Sequence, residues 1–173
     1  MGKCRQFGDI SITARAAFQT VIVLATLALG CSGRVEHPPA QSTYDGAGRL
    51  QMLTMDSNGD GKPDTWSHMD GPRIVRIEID TDGDGTIDRW EYYNAYRNLE
   101  KVGTSSARDG RVDTWTYAAT DGEISRVETS TARNGSVTRT EFYESGALAR
   151  AEEDTDGNGV VDKWESYANG VLI

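Results

Sequence analysis

Five short segments of this chain place oxygen-bearing side chains at alternate positions of a glycine-containing loop. The fullest reads Asp80-Thr81-Asp82-Gly83-Asp84-Gly85-Thr86-Ile87-Asp88-Arg89-Trp90-Glu91. A hard divalent cation needs about six to eight oxygens converging at about 2.3–2.6 Å. A tightly curled loop delivers them from alternate residues: the carboxylates of Asp80, Asp82, Asp84 and Asp88, the backbone carbonyl of Thr86, and a closing carboxylate from Glu91. So many acids crowd together comfortably only around a cation. The last loop repeats the pattern with Asp154, Asp156, Asn158, the Val160 carbonyl, Asp162 and Glu165. The first has Asp56, Asn58, Asp60, the Lys62 carbonyl and Asp64, but Ser67 replaces the closing acid and Pro63 fills the apolar slot, so weaker binding is expected. The third and fourth loops are eroded. Ser105 and Ala107 leave Asp109 and Asp113, and Ser130, Ala132 and Thr138 leave Asn134 and Glu141. Gly110 and Gly135 persist, so the turn is expected to survive there without metal. In these two loops Arg108 and Arg133 stand where the second loop has Gly83. Each is expected to act as an internal cation, Arg108 toward Asp109 or Asp113 and Arg133 toward Glu141.

The elements that position these loops form a repeat. Trp66, Trp90, Trp115, Thr140 and Trp164 mark one slot, at steps of 24, 25, 25 and 24 residues. The flanks agree: Trp90-Glu91-Tyr92-Tyr93 aligns with Thr140-Glu141-Phe142-Tyr143 and Trp164-Glu165-Ser166-Tyr167. In the stretch 74–80, Val75, Ile77 and Ile79 alternate with Arg76 and Glu78, the period of a β-strand. Turns such as Asp70-Gly71, Asp121-Gly122, Ser145-Gly146 and Asn169-Gly170 join short strands into hairpins. The expected fold is all-β. Five repeats of about 24–25 residues, each of two antiparallel strands, make an elongated meander or solenoid-like sheet of roughly ten strands. The recurring tryptophans read as a packed ladder. The alternative is a glycan- or peptidoglycan-binding module that uses the Trp/Tyr stripe for stacking.

The twelve-residue loop at 80–91 resembles the EF-hand calcium loop, with acids at positions one, three, five, nine and twelve and glycine at six. The resemblance implies two calcium ions, at the second and last loops, and a weaker third at the first. It covers the loop alone, since the flanking stretches alternate like strands. Tyr44-Asp45-x-x-Gly48-Arg49-Leu50 is weakly similar to the YD repeat of Rhs-type bacterial surface proteins, which implies a repetitive β architecture.

Residues 1–30 read as an address. Lys3, Arg5 and Arg15 precede an apolar run from Ala16 to Gly30, the length of a secretory signal core that is helical in the precursor. Gly30-Cys31 after Leu27-Ala28-Leu29 resembles the lipobox of bacterial lipoproteins, which implies acylation of Cys31 and a lipid bilayer as partner. Ser32 after it implies the outer membrane. The expected organisation is a signal peptide over 1–30, a lipidated cysteine and flexible tether over 31–43, and a β-repeat domain over 44–173. A further envelope or extracellular partner is expected but unidentified.

The formal net charge of -9 argues against nucleic-acid binding, which needs a basic face. His37 and His68 are the only histidines, and Cys4 and Cys31 the only cysteines. No nucleophile elbow, phosphate loop or zinc cluster occurs, and the acids lie in mutually equivalent loops, whereas an active site is normally unique. A structural or binding role, without catalysis, is expected.

Overall fold

The protein's architecture is taken from a computed structural model that describes residues 40–173. The expected signal peptide and the lipidation of Cys31 fall outside the described residues. Twelve strands follow one another: β1 (Gln41–Tyr44), β2 (Leu50–Met55), β3 (Thr65–Asp70), β4 (Arg73–Ile79), β5 (Arg89–Tyr93), β6 (Leu99–Thr104), β7 (Thr114–Ala118), β8 (Ile124–Thr129), β9 (Arg139–Glu144), β10 (Ala147–Glu153), β11 (Lys163–Ala168) and β12 (Val171–Leu172). They form a single antiparallel sheet in sequence order. The all-β meander matches the expectation. The strand number exceeds the roughly ten expected because β1 and β12 add a strand at each end. Strand β1 begins at Gln41, within the stretch read as tether.

Short turns close one end of the sheet. Ser145 and Gly146 have φ of 51° and 75°, and Asn169 and Gly170 have 51° and 77°. Two consecutive positive φ values give the turn whose twist matches that of paired strands. The Tyr44-Asp45 signature also has a local cause. Asp45 Oδ1 accepts the N–H groups of Ala47 and Arg49, and Asn94 Oδ1 does the same for Tyr96 and Asn98. The acidic loops (56–64, 80–88, 105–113, 130–138 and 154–162) close the opposite end.

Among the described residues no helix or second sheet covers this one, and Val102 and Ala151 are the only buried hydrophobic residues. Cohesion therefore comes from the backbone ladder and from cross-strand pairs. Across one face the tryptophan slot reads Thr54, Trp66, Glu78, Trp90, Gly103, Trp115, Glu128, Thr140, Glu152 and Trp164. Lys101 Nζ sits 4.4 Å from the Trp115 ring centre and 4.9 Å from that of Tyr92. Arg126 lies 4.1 Å from the Tyr117 ring and Arg150 3.5 Å from that of Phe142. Such cation–π stacking replaces a covering layer. It also corrects the glycan-binding alternative. The tryptophan slot is interrupted by Glu78, Gly103, Glu128 and Glu152, and Tyr92, Trp115, Tyr117 and Phe142 lie beneath cationic side chains, so no continuous aromatic stripe is open.

The other face carries ion pairs. Arg139 reaches Glu141, Glu153 and Glu165, at 2.9, 3.1 and 2.9 Å, and so joins three strands.

Candidate metal centre

Each acidic loop is built on its own backbone before any cation is considered. The first loop residue gathers N–H groups: Asp80 Oδ1 and Oδ2 accept those of Gly83 and Gly85 at 2.8 and 2.7 Å. Asp154 does the same for Gly157 and Gly159 at 2.8 and 2.7 Å, and Asp56 for Gly59 and Gly61 at 2.6 and 2.8 Å. Gly83 and Gly85 take φ of 76° and 94°, the left-handed region that only glycine enters freely. The ninth residue closes the loop from the other side. Asp64, Asp88, Asp113 and Asp162 accept the hydroxyls of Ser57, Thr81, Ser106 and Thr155. In the fourth loop Thr138 bonds Thr131 instead.

That pairing was missed in the sequence, although its signal is there. All five loops carry Ser or Thr at their second position: Ser57, Thr81, Ser106, Thr131 and Thr155. Burial opposes ionisation of Asp113. The donors on Ser106 and Thr114, with the Arg133 charge, outweigh it and hold the carboxyl below its ordinary pKa. Asp64 is lowered likewise: burial is overcome by Ser57, Thr65 and Asn58.

The loops also line up side by side. Asp80 N–H bonds the Asp64 carbonyl at 2.9 Å, Ser105 the Asp88 carbonyl at 2.8 Å, Ser130 the Asp113 carbonyl at 2.8 Å and Asp154 the Thr138 carbonyl at 2.8 Å. Between the first two loops, a cavity of about 30 Å³ is lined by Asn58, Asp60, Asp64 and Asp80 among others, room for about one water molecule.

Two of the five loops bring three acids together. Asp80, Asp82 and Asp88 form one cluster and Asp154, Asp156 and Asp162 the other, each with one oxygen per residue within 4.8 Å of the rest. Either cluster can chelate a divalent cation, and nothing in it selects calcium over another such ion. The other expected ligands are placed as follows. Asp84 Oδ1 accepts Thr86 N–H at 2.7 Å and Asn158 Oδ1 accepts Val160 N–H at 2.8 Å. In the first loop Asn58 and Asp60 accept the N–H groups of Asp60 and Lys62. Glu91 and Glu165 lie in β5 and β11. Glu91 accepts Arg89 and the Tyr93 hydroxyl, and Glu165 accepts Arg139 and the Tyr167 hydroxyl. The structure does not bring either glutamate into a cluster.

The EF-hand resemblance is overturned here, and with it the case for calcium that rested on that motif. An EF-hand is helix–loop–helix, and every described segment flanking these loops is a strand. The spacing also serves the loop itself, because Asp56, Asp80 and Asp154 each turn onto the N–H groups of two glycines of their own loop. Electrostatics within the two clusters differ. The Asp82 carboxyl is lowered first by the Arg108 guanidinium, which donates to it at 2.8 Å, against some burial. Asp154 is partly buried, which raises its pKa, but the N–H groups of Gly159, Gly157 and Asn158 prevail and lower it.

No family model matches the chain, so the YD-type resemblance gains no support, and no curated protein matches it. Two solved structures are similar at low identity. One is the complex of accessory secretory proteins 1, 2 and 3 of Streptococcus pneumoniae, at 15% identity over 70% of this chain and 22% of that one, with a TM-score of 0.45. The other is the GtfA/B complex bound to UDP and GlcNAc, at 19% identity over 64% of this chain and 23% of that one, with a TM-score of 0.43. The chain spans less than a quarter of either.

Proposed function

We propose that the second and last loops each bind one hard divalent cation and that the ions stiffen the loop end of the sheet, in a protein whose role is structural or binding. The observation that carries this reading is the convergence of three carboxylates in these two loops. Carboxylates at that spacing repel one another, although backbone N–H groups cap Asp80 and Asp154 and Arg108 pairs with Asp82. A cation among them removes the repulsion and ties the two ends of the loop.

Calcium is proposed over magnesium. The candidate donors are all oxygens on an irregular loop, which suits the flexible calcium shell, whereas magnesium demands a near-ideal octahedron and gives up water reluctantly. The last loop is expected to bind more tightly than the second, whose Asp82 already carries Arg108. Isothermal titration of the full chain with calcium and with magnesium tests the proposal. Two calcium sites are expected, and Asp156→Asn removes the tighter. No heat at millimolar calcium would refute it. An ion held only by the folded state adds about 2.7 kcal/mol of stability at a hundredfold excess over its dissociation constant.

A further inference from the structure

Arg108 and Arg133 do not pair as the sequence suggested. Each reaches back to the loop before its own. Arg108 Nη1 lies 2.8 Å from Asp82 Oδ2. Arg133 Nη2 lies 2.6 Å from Asp109 Oδ1, and its Nε lies 3.4 Å from the buried Asp113. Both Arg133 nitrogens are shut off from solvent, and they meet these carboxylates as ion pairs without hydrogen-bond geometry.

The backbone beneath these arginines is strained. Arg108 and Arg133 have φ of 55° and 54°. At the same loop position the other three loops carry Gly59, Gly83 and Gly157, with φ of 77°, 76° and 74°. A side chain in the left-handed region is disfavoured by contact between its Cβ and the following carbonyl oxygen. On backbone grounds alone, glycine is the better residue at both places. The two loops that accept the strain are the two that lack acids at their first and third positions. Their guanidinium groups thus have few acids at home, while acids of the preceding loop lie within reach.

We infer that Arg108 and Arg133 are tethered cations, each clamping its own loop to the preceding one, so that the middle of the loop row is held together without metal. The fixed, delocalised charge of arginine suits it to face two carboxylates at once, as that of Arg133 does. The Arg133 clamp is independent of the cation reading, because Asp109 and Asp113 belong to no three-acid cluster, whereas Arg108 shares Asp82 with the second cluster and competes there with a bound cation.

The test uses the full chain in chelator and measures amide hydrogen exchange at Ser105 and Ser130, whose N–H groups bond the preceding loop. In Arg108→Gly the Ser105 amide should exchange at least about tenfold faster, and in Arg133→Gly the Ser130 amide should do so. Raising the salt to about 1 M should shrink the difference between each variant and the parent, because ions screen the lost pair. Arg133→Lys, which keeps the charge, should recover part of the protection. Arg97 is the control: its φ is 66° and it makes no ion pair among the described residues, so Arg97→Gly should leave exchange unchanged or slower. If exchange at Ser105 and Ser130 is unchanged or slowed in the glycine variants, relief of strain outweighs the pairs and the clamp is refuted. Because chelator is present throughout, the Ser130 result bears on the clamp alone, while failure at Ser105 would also remove the reason for weaker cation binding at Asp82 and leave the two cation sites themselves standing.

Discussion

Asp113 separates the loop's own architecture from any metal. It sits in the third loop, where Ser105 and Ala107 have replaced two acids, so no cation confounds the reading. Its carboxylate accepts the Ser106 N–H at 2.8 Å and the Ser106 hydroxyl, and Arg133 lies 3.4 Å away. Only 4% of the residue is exposed. Hydrogen bonds to a charged acceptor contribute about 1.5–3 kcal/mol each, and a buried donor left without a partner costs about 1–3 kcal/mol. Water can reach the vacated space from the loop surface and recover part of this. Asp113→Ala is therefore expected to lose about 2–4 kcal/mol, and Asp113→Asn, which keeps one accepting oxygen, about half as much. Urea unfolding of the full chain, in chelator and again in calcium, measures both. The loss should be the same in the two conditions. A loss below about 0.5 kcal/mol would show that the ninth residue does not hold the loop. A loss that appears only with calcium would show that it acts through metal.

Other consequences follow from the two faces. A Cβ on Gly103 would stand 2.8 Å from Trp115 Cζ3, so Gly103→Val should displace that ring, shift tryptophan emission to the red and cost about 1–3 kcal/mol; unchanged emission would contradict the packing described. Glu165 is held down to about 2, first by Lys163, then by Arg139 and Tyr167, from an ordinary 4.5. A depressed acid stabilises the fold above its unfolded pKa, so this contribution should be full above about pH 4.5 and fade as pH falls through about 2. Glu165→Gln should flatten that part of the acid-unfolding curve, and an identical curve would refute the pairing.

Much of the fold was legible because both signals that specify it are local. The period-two alternation of Val75, Ile77 and Ile79 named the strands, and Ser145-Gly146 and Asn169-Gly170 named the turns. With only sequence neighbours pairing, no long-range topology remained to be guessed. The terminal strands were harder. Gln41-Ser42-Thr43 has no apolar alternation, and Val171-Leu172 is too short to show a period. At the loops, spacing identified the acids that cluster, but it also matched a motif whose flanks are helices. Carboxylates that cap their own backbone and carboxylates that hold an ion share that spacing. Glu91 and Glu165 illustrate the limit. Their place twelve residues into the loop suggested ligands, yet each stands on a strand beside a cation and a tyrosine two residues away. The reach of Arg108 and Arg133 into a neighbouring loop depends on how loops stack, which no single loop's sequence reveals.

Native mass spectrometry of the full chain, counted ion by ion in calcium acetate, tests the central claim most directly. The account predicts two bound calcium ions, one after Asp82→Asn or Asp156→Asn alone, and none after both. A metal-free mass in every sample, or a count that ignores these substitutions, would contradict it.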